Sequence, residues 1–251
     1  MSSSPSVHLG HGKDSWIGKR GPLAVARRFA MSVPGQILVN TAAFTLPEEL
    51  RIGSSWKLLD VGCGRASLVR VLADRVSLLH APVGMDASPG TLALARRDMA
   101  VEGGPLVSLA QGAATALPFA DETFDLLLSA HGFKELTDDE LRGCLSEASR
   151  VLKRGALFLA WEFAPTASPV LDRWNRWVLT REASLIRLRS YSELRALAYE
   201  CGFDWVERAH LRPFLLPPIP RVSLIMSKAP KGWSRTVIDG RVVLQRADEE
   251  R

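Results

Sequence analysis

Leu58-Leu59-Asp60-Val61-Gly62-Cys63-Gly64 decides the fold: a short apolar run meets an acid and two alternate glycines, and helical periodicity follows from Ser67. Such a run reads as a buried strand. Glycine lets the backbone turn sharply into the next helix and lets a ligand approach the amides, and the helix offers its unpaired N–H groups at the strand tip. Working outward, the reading expects strands at Trp56–Val61, Pro82–Met85, Leu106–Ala110, Phe124–Ser129 and Ala156–Phe163, with helices at about Ser67–Val76, Ser88–Met99 and Asp138–Leu152. Strands separated by helices pair in parallel through right-handed crossovers, with helices on both faces. The fold class is therefore α/β, a doubly wound, mostly parallel sheet, and ligands in such sheets bind beyond the carboxyl ends of the strands.

After Phe163 the pattern changes. Val170, Leu171, Trp174, Trp177 and Val178 form one apolar stripe, opposed by Asp172, Arg173, Asn175 and Arg176, which predicts an amphipathic helix with the two tryptophans in the core. A helix over Tyr191–Cys201 and closing strands at Trp205–His210 and Val222–Met226 bring the strands to seven. The organisation expected is a flexible tail over residues 1–20, N-terminal helices over 21–54 packing on the main domain, that domain over 55–228, and a C-terminal tail over 229–251. The cofactor half would span 55–163, and a lid helix with the closing strands 164–228.

The chain has 251 residues, 47% hydrophobic and 24% charged, enough to bury a sizeable core. A formal charge of +5 and a pI near 9.4 admit an anionic partner, but the 32 basic residues are scattered among 27 acids. The one denser group, Lys19, Arg20, Arg27 and Arg28, lacks the interleaved aromatics of a base-stacking surface, so no nucleic-acid partner is expected. Cys63, Cys144 and Cys201 lie far apart, which indicates neither a disulfide framework nor a metal site. Without a signal-type core or a membrane span, a cytoplasmic protein is expected.

Three features separate the glycine turn from a nicotinamide site. Ser67 stands where a dinucleotide fingerprint wants its third glycine. Asp60 at the strand tip would repel a pyrophosphate but would accept hydrogen bonds from an ammonium group. Asp86 closes the next strand and could receive two ribose hydroxyls, a feature shared with NAD binding, so the combination discriminates. Each acid also has a structural reading, Asp60 as a helix cap and Asp86 at the start of a helix capped by Ser88.

DVGCG at Asp60–Gly64, VGMDAS around Asp86, ALPFADETFDLLLSA from Ala116 to Ala130, and ASRVLKRGALFLAWEF together resemble class I S-adenosylmethionine-dependent methyltransferases with the Rossmann-like methyltransferase fold. The similarity is greatest to the ubiquinone/menaquinone-type C-methyltransferases and related small-molecule enzymes, over about 110 residues. The resemblance implies S-adenosylmethionine as cofactor. Asp60, Gly62, Cys63 and Gly64 would lie around its methionine part, Asp86 at the ribose, and Ala87, Ala113, Ala114 and Leu117 along the adenine. Ser129 to His131 would lie beside the methyl group. Ala66 replaces a motif glycine, and Ala113 replaces an Asp that in relatives accepts a hydrogen bond from the adenine amino group, which Ala cannot do.

A sulfonium methyl is already activated, so the protein's task is alignment and exclusion of water. If the acceptor needs a base, His131 is the catalytic candidate, against the simpler reading of a loop histidine; Glu162 points to the same end of the sheet. Lys134 and Glu135 stand where many relatives carry a His pair. The aromatic residues and the apolar Phe214, Leu215 and Leu216 suit a small, apolar or aromatic acceptor, or a homodimer contact. A non-catalytic protein retaining the fold stays open as the alternative, on the strength of Ala113.

Overall fold

The computed structural model describes residues 52–102, 106–180, 186–208, 221–238 and 241–246; the N-terminal helices expected over 21–54 and the Phe214–Leu216 loop fall outside them, apart from residues 52–54. Seven strands form one sheet: β1 (Leu58–Val61), β2 (Val83–Asp86), β3 (Ser108–Gln111), β4 (Phe124–Ala130), β5 (Leu152–Phe163), β6 (Trp205–Arg208) and β7 (Arg221–Ser227). Their order is β3-β2-β1-β4-β5-β7-β6. The first five are parallel, with Leu59 beside Val83 and Asp60 beside Leu128, while β7 runs antiparallel between β5 and β6. The expected mostly parallel, seven-stranded sheet is what forms.

Helices α1 (Ser67–Arg75), α2 (Pro89–Glu102), α3 (Asp138–Val151), α4 (Pro169–Thr180) and α5 (Tyr191–Glu200) follow β1, β2, β4 and β5. Strand alternation divides the core. Leu58, Leu126, Leu128, Leu159 and Trp161 pack on Leu68 and Leu72 of α1. Leu59, Leu127 and Phe158 turn the other way, onto Leu141 and Leu145 of α3 and Leu194 and Ala198 of α5. Val69 of α1 and Leu92 and Ala95 of α2 share a third cluster with Cys63 and Val107. Both α3 and α5 begin with a capping box, Thr137 with Glu140 and Ser190 with Glu193, each cap contributing about 1 kcal/mol.

Two expectations are overturned. Helix α4 forms, but Trp174 and Trp177 are 50% and 46% exposed and lie against each other in a tilted pair, ring centroids 5.0 Å apart, whereas Asn175 is fully buried. Helical spacing defines a stripe; which stripe faces inward is set by the neighbours. Residues 229–251 are not a plain tail, for Trp233–Ile238 (β8) and Arg241–Arg246 (β9) pair antiparallel as a separate ribbon. In the sequence, Asp239-Gly240 between the apolar runs Val237-Ile238 and Val242-Leu244 is a two-residue hairpin signal. No helix among the described residues is long and apolar enough to cross a membrane.

Candidate active site

The glycine turn is built against the end of β2. Gly62 and Cys63 both donate their N–H groups to the Met85 carbonyl, at 2.8 and 2.9 Å. Gly62 and Gly64 have φ of +75° and +57°, a region that costs a side chain strain; a Cβ at Gly62 would meet nothing within 4 Å, so this face of the turn is open. Ala66 also sits in the left-handed region, at φ +57°, and is buried, so the motif's missing glycine is replaced at a cost of about 1–2 kcal/mol in backbone strain. Ala66 caps α1 without a side-chain hydrogen bond.

Asp86 ties these pieces together. Its Oδ2 accepts from Gly64 N–H at 3.0 Å and its Oδ1 from Ser88 N–H at 2.9 Å, while Ser88 caps the next helix through Thr91 N–H. The structural reading of Asp86 therefore holds, and each oxygen keeps a second lone pair for a hydroxyl. Asp60 differs. It is 1% exposed, its Oδ1 has no hydrogen-bond partner, and burial, with the nearby Asp86 charge, pushes its carboxyl up to about 7. Cys63 is buried beside both acids, and burial together with their charge pushes its thiol up, so it is an inert packing residue.

The third edge is the loop after β3. Gly112 N–H donates to the Asp86 carbonyl, so Gly112 is tied to the end of β2 and Ala113 and Ala114 follow directly, both half-buried. Leu117 is buried and its backbone is gripped by α3: its N–H donates to Glu147 Oε2 at 2.7 Å, and its carbonyl accepts from Arg150 Nη2 at 3.0 Å. Arg150 also reaches the Phe119 carbonyl. These anchors, Glu147 and Arg150, were invisible to motif reading because they lie about 30 residues away from the loop.

At the ends of β4 and β5 stand Ser129, buried, and His131, whose φ is +58°. His131 stacks on Phe163 at 4.4 Å, and its Nδ1 lies 3.7 Å from Glu162 Oε1, short of a hydrogen bond. Burial lowers the imidazole pKa against the opposing pull of Glu162, so the ring is neutral near neutrality. Glu162 accepts instead from Lys134 N–H and Phe163 N–H; burial pushes its carboxyl up, but the Lys134 charge, the neighbouring His131 and the Phe163 N–H outweigh that and hold it below the usual range. Trp161 carries a buried indole N–H with no partner. The unsatisfied atoms Asp60 Oδ1, His131 Nδ1 and Trp161 Nε1 thus gather at the carboxyl ends of β1, β4 and β5. An open polar groove of about 470 Å³ lined by Asp121, Arg150, Arg154 and Lys228 lies at the amino ends of these strands, away from them.

Residues 58–155 match a family model described as a methyltransferase domain. The chain is 33% identical over 127 residues to the ubiquinone/menaquinone biosynthesis C-methyltransferase of Bartonella bacilliformis, covering 49% of this chain and 48% of that one. It is 31% identical over 121 residues to the 2-phytyl-1,4-naphtoquinone methyltransferase of Thermosynechococcus vestitus, covering 48% and 52%. The likeness to methyltransferases is thus carried by residues 58–155. The chain spans about half the length of the curated relatives it matches. The methyltransferase fold extends further than the sequence likeness: the crystal structure of the YcgJ protein from Bacillus subtilis superposes with a TM-score of 0.62 at 18% identity, over 75% of this chain and 98% of that one. Asp60, the two glycines, Asp86, the loop after β3 and His131 all fall at one end of the methyltransferase sheet, the carboxyl end.

Proposed function

We propose that the chain transfers a methyl group from S-adenosylmethionine to a small apolar aromatic acceptor of quinol type, by direct in-line displacement. The observation that carries this reading is the convergence of Asp60 Oδ1, His131 Nδ1 and Trp161 Nε1, three of the buried polar atoms without partners, at the carboxyl ends of β1, β4 and β5, beside an open glycine turn. Buried polar groups are ordinarily satisfied, so three such atoms at neighbouring strand ends support a place completed by a ligand. The names of the relatives, a ubiquinone/menaquinone biosynthesis C-methyltransferase and a 2-phytyl-1,4-naphtoquinone methyltransferase, support a quinol-type acceptor.

The residues present fit the cofactor. Asp60 would take its ammonium, the α1 amides its carboxylate, Asp86 its ribose hydroxyls, and Ala87, Ala113, Ala114 and Leu117 the adenine. When bound, S-adenosylmethionine supplies a methyl carbon already activated by the sulfonium. The chain's part is to hold the acceptor in line and keep water out. With Nδ1 turned toward Glu162, His131 Nε2 is the nitrogen left to take a proton from an acidic acceptor, and the neutral ring is in the form that accepts it. Ala113 favours the second reading, a fold retained without catalysis.

Calorimetry with S-adenosylhomocysteine and NAD, followed by methyl transfer to a short-chain naphthohydroquinone, separates these. The expected result is a micromolar or tighter dissociation constant for S-adenosylhomocysteine, none for NAD, and turnover that His131→Gln reduces by about 10²-fold or more at neutral pH. Absence of S-adenosylhomocysteine binding at millimolar concentration refutes the reading. Binding without turnover on any phenol or quinol selects the non-catalytic one.

A further inference from the structure

The turn after β4 is held by residues far from it in sequence. Phe133–Glu135 forms a single 3-10 turn without a side-chain cap. Its Lys134 N–H donates to Glu162 Oε2 at 3.0 Å, and its Lys134 carbonyl accepts from Arg187 N–H at 2.9 Å. Arg189 closes the rest: Nη1 donates to the Phe133 carbonyl at 2.9 Å and Nη2 to the Leu136 carbonyl at 2.7 Å. The same guanidinium reaches Asp138 Oδ1, the first residue of α3, from Nε at 3.0 Å and Nη2 at 2.7 Å. Arg189 is 5% exposed, whereas the Asp138 side chain is 62% exposed, so solvent screens the ion pair and the two carbonyl bonds dominate. A planar fork spans two carbonyls and a carboxylate at once; a lysine ammonium, a point charge on a flexible stem, does not.

We infer that Arg189 is a positioning residue for the acceptor side of the proposed reaction, acting through the Phe133–Leu136 turn on His131. The link is continuous. Lys134 Nζ donates back to the His131 carbonyl, and His131 N–H donates to the Trp161 carbonyl, so the turn fixes a histidine whose φ of +58° persists only where its surroundings impose it. The cofactor half is held separately, by the Met85 carbonyl, Asp86, Glu147 and Arg150. Two networks thus fix two halves of one cleft, and loosening the Arg189 network displaces the acceptor-side group while the cofactor side stays in place. Displacement of about 1 Å at such a group is enough for a 10²-fold rate loss.

This inference rests on the methyltransferase reading, and the test keeps the two apart. Arg189→Lys, Arg189→Gln and, as control, Asp138→Ala are made in the full chain. For each, the S-adenosylhomocysteine dissociation constant, the kcat with the naphthohydroquinone probe, and the His131 titration by NMR are measured. Both Arg189 variants are expected to keep the dissociation constant within about twofold, lose at least tenfold in kcat, and move the His131 pKa back toward its ordinary value as water reaches the loosened turn. Asp138→Ala should leave all three near the parent. The inference is overturned if Arg189→Lys retains full kcat, if affinity falls in step with kcat, or if the His131 titration does not move. Failure of the parent to bind S-adenosylhomocysteine defeats the methyltransferase reading instead, and the His131 titration still decides the positioning.

Discussion

Replacing Asp60 by Asn should stabilise the ligand-free chain, and more at pH 8 than at pH 5. The carboxyl is 1% exposed, Oδ1 lacks a partner, and burial with the Asp86 charge raises its pKa from 3.8 to about 7. Because the folded value lies above the unfolded one, the folded chain keeps a proton that the unfolded chain has released between these values. Stability therefore falls as pH rises through that window. At about 1.36 kcal/mol per unit, Asp60 costs about 1–2 kcal/mol at pH 5 and about 4 kcal/mol at pH 8. Asn does not titrate, so the advantage of the variant over the parent should widen by about 2–3 kcal/mol between the two pH values. Any fixed cost of seating the Asn amide cancels in that difference, as do the titrations of His131 and Glu162 common to both chains. Urea unfolding at each pH, with equal m-values for parent and variant, measures it. A constant or narrowing gap would show that Asp60 is ionised at no cost, and the account of an acid awaiting a cationic partner would be wrong. The parent's S-adenosylhomocysteine affinity should also weaken as pH falls below 7, because the ammonium needs the carboxylate, while the Asn variant should bind more weakly with a flat profile.

Asp86→Ala removes the acceptor of both Gly64 and Ser88 amides, so it should cost about 1–3 kcal/mol of stability as well as weakening S-adenosylhomocysteine, read by thermal melts and calorimetry; affinity loss without stability loss would contradict the hydrogen bonds described. Ala113→Asp should tighten S-adenosylhomocysteine by about 0.5–1.5 kcal/mol and do little for an inosine-type analogue lacking the amino donor. An equal response to both ligands would move the adenine elsewhere. Trp174→Ala should cost no more than about half of the 3–5 kcal/mol typical of a buried Trp, since half its surface is already exposed; a full loss in chemical denaturation would return it to the core.

The sheet was legible because its signals are local. An apolar run ending at Gly62, a helical period from Ser67 and the acid at Asp86 each lie within a few residues of their cause. The networks were not legible. Arg189 meets Phe133 across 56 residues, and Leu117 meets Glu147 across 30, and no periodicity in the chain records such pairings. Asp60 could be named as a site residue from its place at a strand tip, yet only the packed neighbours reveal that one of its oxygens is stranded. The α4 tryptophans failed for a related reason: a 3.6-residue period assigns faces without saying which one the sheet covers. The hairpin after residue 232 has its local signal in Asp239-Gly240, but the charged residues that follow resemble those of a frayed terminus.

The placement of β7 has a consequence for synthesis on the ribosome. β6 pairs within the sheet with β7 alone, and β7 lies between it and β5, so the last strand of this sheet to be made is the one that seals the middle of this side. Until Arg221–Ser227 emerges, the long edge of β5 presents its backbone donors and acceptors unpaired, and the segment Trp205–Arg208 has nowhere to dock. A nascent or nicked chain ending before residue 221 would therefore carry the whole glycine-turn half, folded or nearly so, beside an open edge of the kind that recruits other strands. Yield from a heterologous host should fall sharply for products stopped at residue 208 and recover once they extend through residue 228.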